Sequence, residues 1–263
     1  MLGYDLWSAV TQQSQSIPTL YPNKSSMGII PRSMVYLFQQ LAAKNGQYQV
    51  LISYLEIYNE KLIDLLNIPA EDVKQLSIQE NKQGQIIIPG LVEVEVRNID
   101  EVFEVLWTGA KARSIAATDM NDYSSRSHTI FQVQVNQTYL SSDSKGSSGG
   151  PTRIVKQGKL SFVDLAGSEK WKSHQLSKFT PERIRELTSI NKSLSALGKC
   201  IAALLRFGTG ASTTAHIPYR ESKLTRILQD SLGGNSKTLF IVTLSPAISC
   251  VDETTSTLQF AGQ

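Results

Sequence analysis

The sequence predicts an α/β domain in which a sheet is covered by helices on both faces. Three observations carry this expectation. Tyr48 to Tyr58 (YQVLISYLEIY) concentrates the β-branched and aromatic residues of a strand. Leu239 to Leu244 (LFIVTL) is a nearly continuous apolar run, the pattern of a strand buried on both faces. From Glu182 to Phe207, Ile184, Leu187, Ile190, Leu194, Leu197, Ile201 and Leu205 recur at spacings of three and four, as on one face of a long helix.

In chain order, residues 11–27 are polar and loop-like, and the strand at 48–58 follows. Gln85 to Val96 (QIIIPGLVEVEV) reads as two short runs joined at Pro89-Gly90, a hairpin-like signal. Ile130 to Val135 alternates apolar and polar, and Lys159 to Val163 leads into Asp164; both read as strands. Between them Ser141 to Thr152 is Ser/Gly-rich and reads as a mobile loop. Gly208 ends the long helix, and Gly208 to Ala215 is a second loop. A further helix is expected from about Tyr219 to Leu232. Pro218 precedes it, Leu224, Ile227 and Leu228 form its apolar stripe, and Gly233-Gly234 stops it. No internal repeat is visible, and the whole reads as one domain with two interruptions.

Composition narrows the function classes. A chain of 263 residues, 41% hydrophobic and 19% charged, has the balance of a globular protein with a sizeable core. The net charge of +3 gives a weak overall field, so an acidic partner must be met by a local basic patch. Cys200 and Cys250 sit in apolar surroundings without metal-ligand spacing and read as reduced core residues of a cytosolic protein. The three histidines are too scattered for a metal site. No apolar run approaches the ~18 residues of a membrane span, and the N-terminus lacks a signal-peptide pattern.

Two segments carry chemistry. In Phe162-Val163-Asp164-Leu165-Ala166-Gly167-Ser168-Glu169 an apolar strand ends in a carboxylate and a glycine follows. In nucleotide hydrolases such an Asp faces Mg²⁺, and the Gly N–H approaches the γ-phosphate with no side chain in the way. Alone, a strand-terminal Asp is more often a helix cap or turn residue. In Asn121-Asp122-Tyr123-Ser124-Ser125-Arg126-Ser127-His128, hydroxyls beside an Arg suit a phosphate-sensing loop; the plainer reading is a Ser-rich turn before a strand.

Taken together, N-x-x-S-S-R-S-H and D-L-A-G-S-E resemble switch I and switch II of the kinesin motor domain. The resemblance extends along nearly the whole chain. It includes Gly28-Ile29-Ile30-Pro31-Arg32, Tyr54-Leu55-Glu56-Ile57-Tyr58-Asn59-Glu60 with Asp64-Leu65-Leu66, and Ile190-Asn191-Lys192-Ser193-Leu194 with Ala196-Leu197-Gly198. It continues through His216-Ile217-Pro218-Tyr219-Arg220, Ser222-Lys223-Leu224-Thr225-Arg226, the run from Gln229 to Thr238, and Leu258, Phe260 and Ala261.

The resemblance implies a P-loop NTPase-like mixed sheet flanked by helices on both faces, incomplete at the N-terminus. It implies an ATP-hydrolysing motor on microtubules, with ATP and Mg²⁺ as cofactors and tubulin as partner, in the microtubule cytoskeleton of the cytoplasm. Nucleic acid and membrane insertion are not expected. By the same resemblance Ser125 ligates Mg²⁺ or holds the attacking water, with Ser124 beside it. Asp164 holds Mg²⁺ through water, the Gly167 N–H senses the γ-phosphate, and Asn121 positions switch I. Arg126 pairs with Glu169 to close the site; the plainer reading of that pair is a surface ion pair worth under ~1 kcal/mol. Lys192, Lys199, Arg220, Lys223 and Arg226 contact the acidic microtubule surface, where the plainer reading is a solvated charged face.

The chain departs from the family pattern in two places. Lys170 to Leu176 replaces a short Gly-containing loop, and Thr180-Pro181-Glu182-Arg183-Ile184-Arg185-Glu186 lacks the Gly of the family's segment there. No G-x-x-x-x-G-K-[ST] run occurs in the 263 residues. The expectation is therefore a partial motor domain over 1–263 in which Met1 is an internal methionine. The early strands, the P-loop and the neck and stalk, with any coiled coil and the oligomeric state they set, would lie outside it. The alternative is a degenerate kinesin-like module that binds microtubules without ATPase activity.

Overall fold

Strand β1 (Gln47–Tyr58) is the hub of the fold, because β2 (Lys61–Asp64), β5 (Val94–Val96) and β6 (His128–Ser141) all pair with it. The computed structural model describes residues 1–2, 27–44, 46–67, 75–118, 126–141, 152–167, 181–208 and 216–262. The expected loops at 11–27, 141–152 and 208–215 lie almost wholly outside these residues. β7 (Thr152–Asp164) pairs along its full length with β6, giving the order β2-β1-β6-β7. Every registered pair among the described residues is antiparallel.

The period of two along each strand divides the core. Val50, Ile52 and Tyr54 of β1 and Phe131 and Val133 of β6 point to one face, where they pack against Met34 of α1 (Ile29–Ala42) and Val102 and Leu106 of α2 (Ile99–Thr118). Leu55, Ile57 and Ile130 point to the other face. They meet Leu197 of α3 (Pro181–Gly208) and Leu224 and Ile227 of α4 (Lys223–Ile227). Helices therefore cover both faces, as the sequence predicts. At Gly109 of α2 a Cβ would come within 2.2 Å of the Tyr54 ring, so the helix can approach the sheet this closely only without a side chain there.

The long helix runs over Pro181–Gly208, close to its expected limits. The second helix is subdivided. A 3₁₀ turn covers Tyr219–Glu221, α4 covers Lys223–Ile227, and α5 covers Gln229–Gly233. Ser222 causes the first break: it is extended, and its Oγ accepts the Thr225 N–H at 3.1 Å as an N-cap. Gly234 follows the last helical residue, as the glycine pair predicts.

Two expectations fail. The runs within Gln85–Val96 do not pair with each other. β4 (Ile86–Ile87) pairs with β3 (Gln79–Glu80) around a turn at Gly84, φ +79°, while β5 joins β1. Asn81 Oδ1 accepts the Gln83 and Gln85 N–H groups and closes that turn, so the punctuation lies at Asn81–Gly84 and not at Pro89-Gly90. The second failure is Leu239–Leu244, which is irregular, with Leu239 82% and Ile241 63% exposed. A strand needs a ladder partner, and among the described residues none pairs with this run. The helix α6 (Val251–Ala261) that follows meets it at Phe260, 5.8 Å from Phe240 between ring centres. Of the cysteines, Cys200 is buried as expected, whereas Cys250 is half-buried.

Candidate nucleotide-sensing end and basic face

Antiparallel pairing of β6 with β7 brings the two chemical motifs together. β6 begins at His128, β7 ends at Asp164, and Thr129 stands opposite Asp164 in the register. Arg126, just before β6, and the Leu165–Gly167 segment, just after β7, therefore leave the sheet side by side. Arg126 is buried at 3% exposure, while Asp164 and Gly167 are half-buried. Asn121, Ser124, Ser125 and Glu169 lie outside the described residues.

Beneath this end lies a polar layer that sequence reasoning missed. Glu56 of β1, 1% exposed, stands 3.3 Å from Arg113 Nε of α2, an ion pair by distance without hydrogen-bond alignment. Arg113 Nη2 donates to Ser127 Oγ at 3.1 Å, tying α2 to the residue beside Arg126. Tyr54 completes the layer. Burial pushes its hydroxyl up to about 12, against an opposing effect of the Arg113 charge, so it stays neutral.

His128 closes the layer on the opposite face of the sheet. Its Nδ1 accepts the Ala166 N–H at 2.9 Å, and its Nε2 lies 2.8 Å from Ser193 Oγ of α3. Since Nδ1 is an acceptor, the proton of the neutral ring sits on Nε2 and is donated to Ser193, whose hydroxyl donates to Ile190 O at 2.8 Å. Burial lowers the ring from its ordinary 6.5 to about 4. The folded value lies below the unfolded one, so stability is complete above pH ~6.5 and is lost as pH falls toward 4. We expect denaturant titrations to show about 2 kcal/mol lost through this group between pH 7.5 and 5.0. Subtracting the His128→Asn profile isolates it; parallel profiles would contradict the assignment.

The five expected basic residues are carried by α3, the 3₁₀ turn and α4. Lys192 and Lys199 are exposed on α3, Arg220 is exposed, and Lys223 and Arg226 are half-buried. Lys192, Arg220, Lys223 and Arg226 line an open groove of roughly 560 Å³ together with residues 75–78. Acidic residues that sequence reasoning left without roles hold this face in place. Glu80 on β3 pairs with Arg226 at 3.2 Å and Arg220 at 3.9 Å, and Lys199 pairs with Glu221 at 2.7 Å. Glu60 accepts the Lys223 N–H at 3.0 Å. Glu60 and Asn59 both have positive φ, 56° and 49°, in the two-residue turn between β1 and β2; that turn type carries Glu60 to the start of α4. These exposed pairs are worth at most about 1 kcal/mol each, so they orient the basic groups more than they neutralise them.

The donor chemistry fits Mg²⁺ held mostly by water and phosphate. Among the described residues no group of three or more His, Cys, Asp or Glu could hold a metal, and Asp164 stands as a single carboxylate at its strand end. Mg²⁺ commonly takes one or two carboxylates and keeps several waters, so a single carboxylate is compatible with the protein's share. Among the described residues no helix is long and apolar enough to cross a membrane.

A family model for the kinesin motor domain matches residues 13–263. The mouse protein named kinesin-like protein KIF11 is 46% identical over 238 residues, covering 89% of this chain and 21% of that protein. Klp61F of Drosophila melanogaster is 41% identical over 257 residues, covering 96% of this chain and 22% of that protein. The chain thus spans about a fifth of the curated relatives it matches. A solved fast kinesin superposes with a TM-score of 0.74 at 40% identity, over 99% of this chain and 67% of that one. The motor and motor homology domains of Kar3Vik1, fused to a synthetic coiled coil, give 0.72 at 36% identity, over 89% and 57%.

Proposed function

The chain belongs to the kinesin motor domain family, and on that footing we propose that its residues serve an ATP-driven microtubule motor. They would read the nucleotide at the Arg126–Asp164 end of the sheet and grip the track through the basic face. The observation that carries this reading is the adjacency of Lys192 and Ser193 on α3. Ser193 is buried against His128 at the nucleotide-sensing end, while Lys192 lines the groove with Arg220, Lys223 and Arg226. One helix thus serves both sites.

Bound Mg²⁺·ATP would supply the phosphoryl group and the charge that differs before and after hydrolysis. Asp164 would hold the metal through water, with Ser125 as its hydroxyl ligand and Ser124 beside it. The Gly167 N–H would face the γ-phosphate, because no side chain keeps the backbone away. Asn121 would position the loop before β6, and Arg126 would pair with Glu169 as that loop closes. Little more is asked of the side chains, since phosphoryl transfer depends mainly on positioning and charge.

Replacing Arg220, Lys223 and Arg226 together by Ala is expected to weaken microtubule co-sedimentation of the full-length protein at least tenfold, and added salt should weaken the wild type in the same way. Unchanged affinity at physiological salt would remove this face from the track contact. Microtubule-stimulated phosphate release decides the activity. Binding without any stimulation would favour a module that grips microtubules without turning over ATP.

A further inference from the structure

His128 has a role that neither motif reading assigns. Its backbone is fixed: it begins β6 opposite Ile57 of β1, and its neighbour Ser127 is held by Arg113. Its ring bridges the segment that follows β7 and the helix α3. One pole accepts from Ala166, next to Gly167, and the other donates to Ser193 in the middle of α3. His128, Ala166 and Ser193 are 3%, 5% and 1% exposed, so water cannot replace either bond. An imidazole ring is rigid. If the Ala166 segment shifts, the ring must follow and carry Ser193 with it, or a buried polar atom loses its partner.

We propose that His128 is a positioning residue that couples the segment after Asp164 to helix α3, passing a displacement of Ala166–Gly167 through Ser193 to the helix that carries Lys192. This rests on the motor reading above. The backbone of β6 is the fulcrum, and the ring is the lever between nucleotide-sensing segment and track-binding helix. The Ser193 hydroxyl extends the chain by one bond, to Ile190 O, so the coupling enters α3 through its backbone as well as through a side chain.

The two poles can be cut separately. In His128→Asn the amide oxygen stands near the Nδ1 position and can still accept from Ala166, but the side chain is too short for Ser193. In His128→Gln the amide nitrogen reaches toward Ser193 and the Ala166 bond is lost. Ser193→Ala deletes a single hydroxyl. The experiment measures basal and microtubule-stimulated ATP turnover of the full-length protein and takes their ratio. Each variant is expected to lower the ratio about tenfold, within the roughly 5–150-fold range of allosteric couplings. The double variant His128→Asn/Ser193→Ala should be no worse than either single one, because one pathway is cut twice. A merely structural histidine would lower both rates in proportion and leave the ratio unchanged, which would overturn the proposal; so would additive losses in the double variant. If His128→Asn does not fold, Ser193→Ala alone carries the same expectation and the same refutation. A wild-type ratio of one would overturn the motor reading itself, a different result from a stimulated wild type whose variants are equally stimulated.

Discussion

Arg126→Ala in the full-length protein is expected to lower microtubule-stimulated ATP turnover by about 10²–10³-fold while leaving nucleotide affinity within a few fold. Arg126 is 3% exposed and stands where β6 starts, beside the Asp164 end of β7. On the proposed reading, in which Arg126 pairs with Glu169 as the loop closes, the pair stabilises the transition state more than the bound ground state, so its loss falls on turnover. Glu169→Ala should reproduce the defect, and the double variant should be no worse if the two act as the proposed unit. Steady-state turnover and titration with a fluorescent ATP analogue check this. Lost affinity with intact turnover would refute the gate. Because Arg126 is buried, the melting temperature should accompany the assay.

The largest expected effect on stability belongs to Glu56. Glu56→Ala should cost about 3–5 kcal/mol, because it leaves the Arg113 guanidinium buried without this carboxylate. At 1% exposure for the Glu56 side chain and 10% for that of Arg113, water cannot take the carboxylate's place. Glu56→Leu with Arg113→Met removes both charges and should recover most of the loss, since apolar groups of similar volume often replace a buried pair without penalty. Chemical denaturation of the four-member cycle measures this. A Glu56→Ala cost under about 1 kcal/mol would mean that the pair behaves as an exposed one. The paired replacement should still impair turnover, because Ser127 loses its hydrogen bond from Arg113.

Local chemistry made much of this legible in the sequence. The β-branched and aromatic run from Tyr48 to Tyr58 marks β1, and the 3.6-period stripe of α3 leads to Leu197. The motifs at Arg126 and Asp164 are readable because each is contiguous; that they meet is a property of strand register, which the sequence does not print. The polar layer was not legible for the same reason. Glu56 lies within a run that reads as apolar strand, and Arg113 lies in a helix that the sequence reading does not anticipate, so nothing near either announces a buried partner. His128 was in view as the last residue of its motif, yet its role depends on Ala166 and Ser193, 38 and 65 positions away. The Leu239–Leu244 run failed in the opposite direction. Apolar character measures a tendency to be buried, and ladder partners decide whether it is.

The unbroken register from Thr129↔Asp164 to Ser141↔Thr152 also orders the folding reaction. β6 and β7 meet across the short span 142–151, whereas β1 finds β6 only after β2 to β5 and the whole of α2 have been gathered in. Local contacts form before distant ones, so the β1–β2 and β6–β7 hairpins are expected to form early and the long-range β1–β6 pairing to follow. Closing a loop costs only about 0.6 kcal/mol more for each doubling of its length, so the span at 142–151 can grow without removing that advantage. Substitutions within the β6–β7 hairpin therefore act mainly on the rate of folding, and those at the β1–α2 contact, Glu56 among them, mainly on the rate of unfolding. This end of the sheet is thus expected to assemble in two stages: the β6–β7 hairpin brings Arg126 and Asp164 together, and the Glu56–Arg113 layer follows when β1 meets β6.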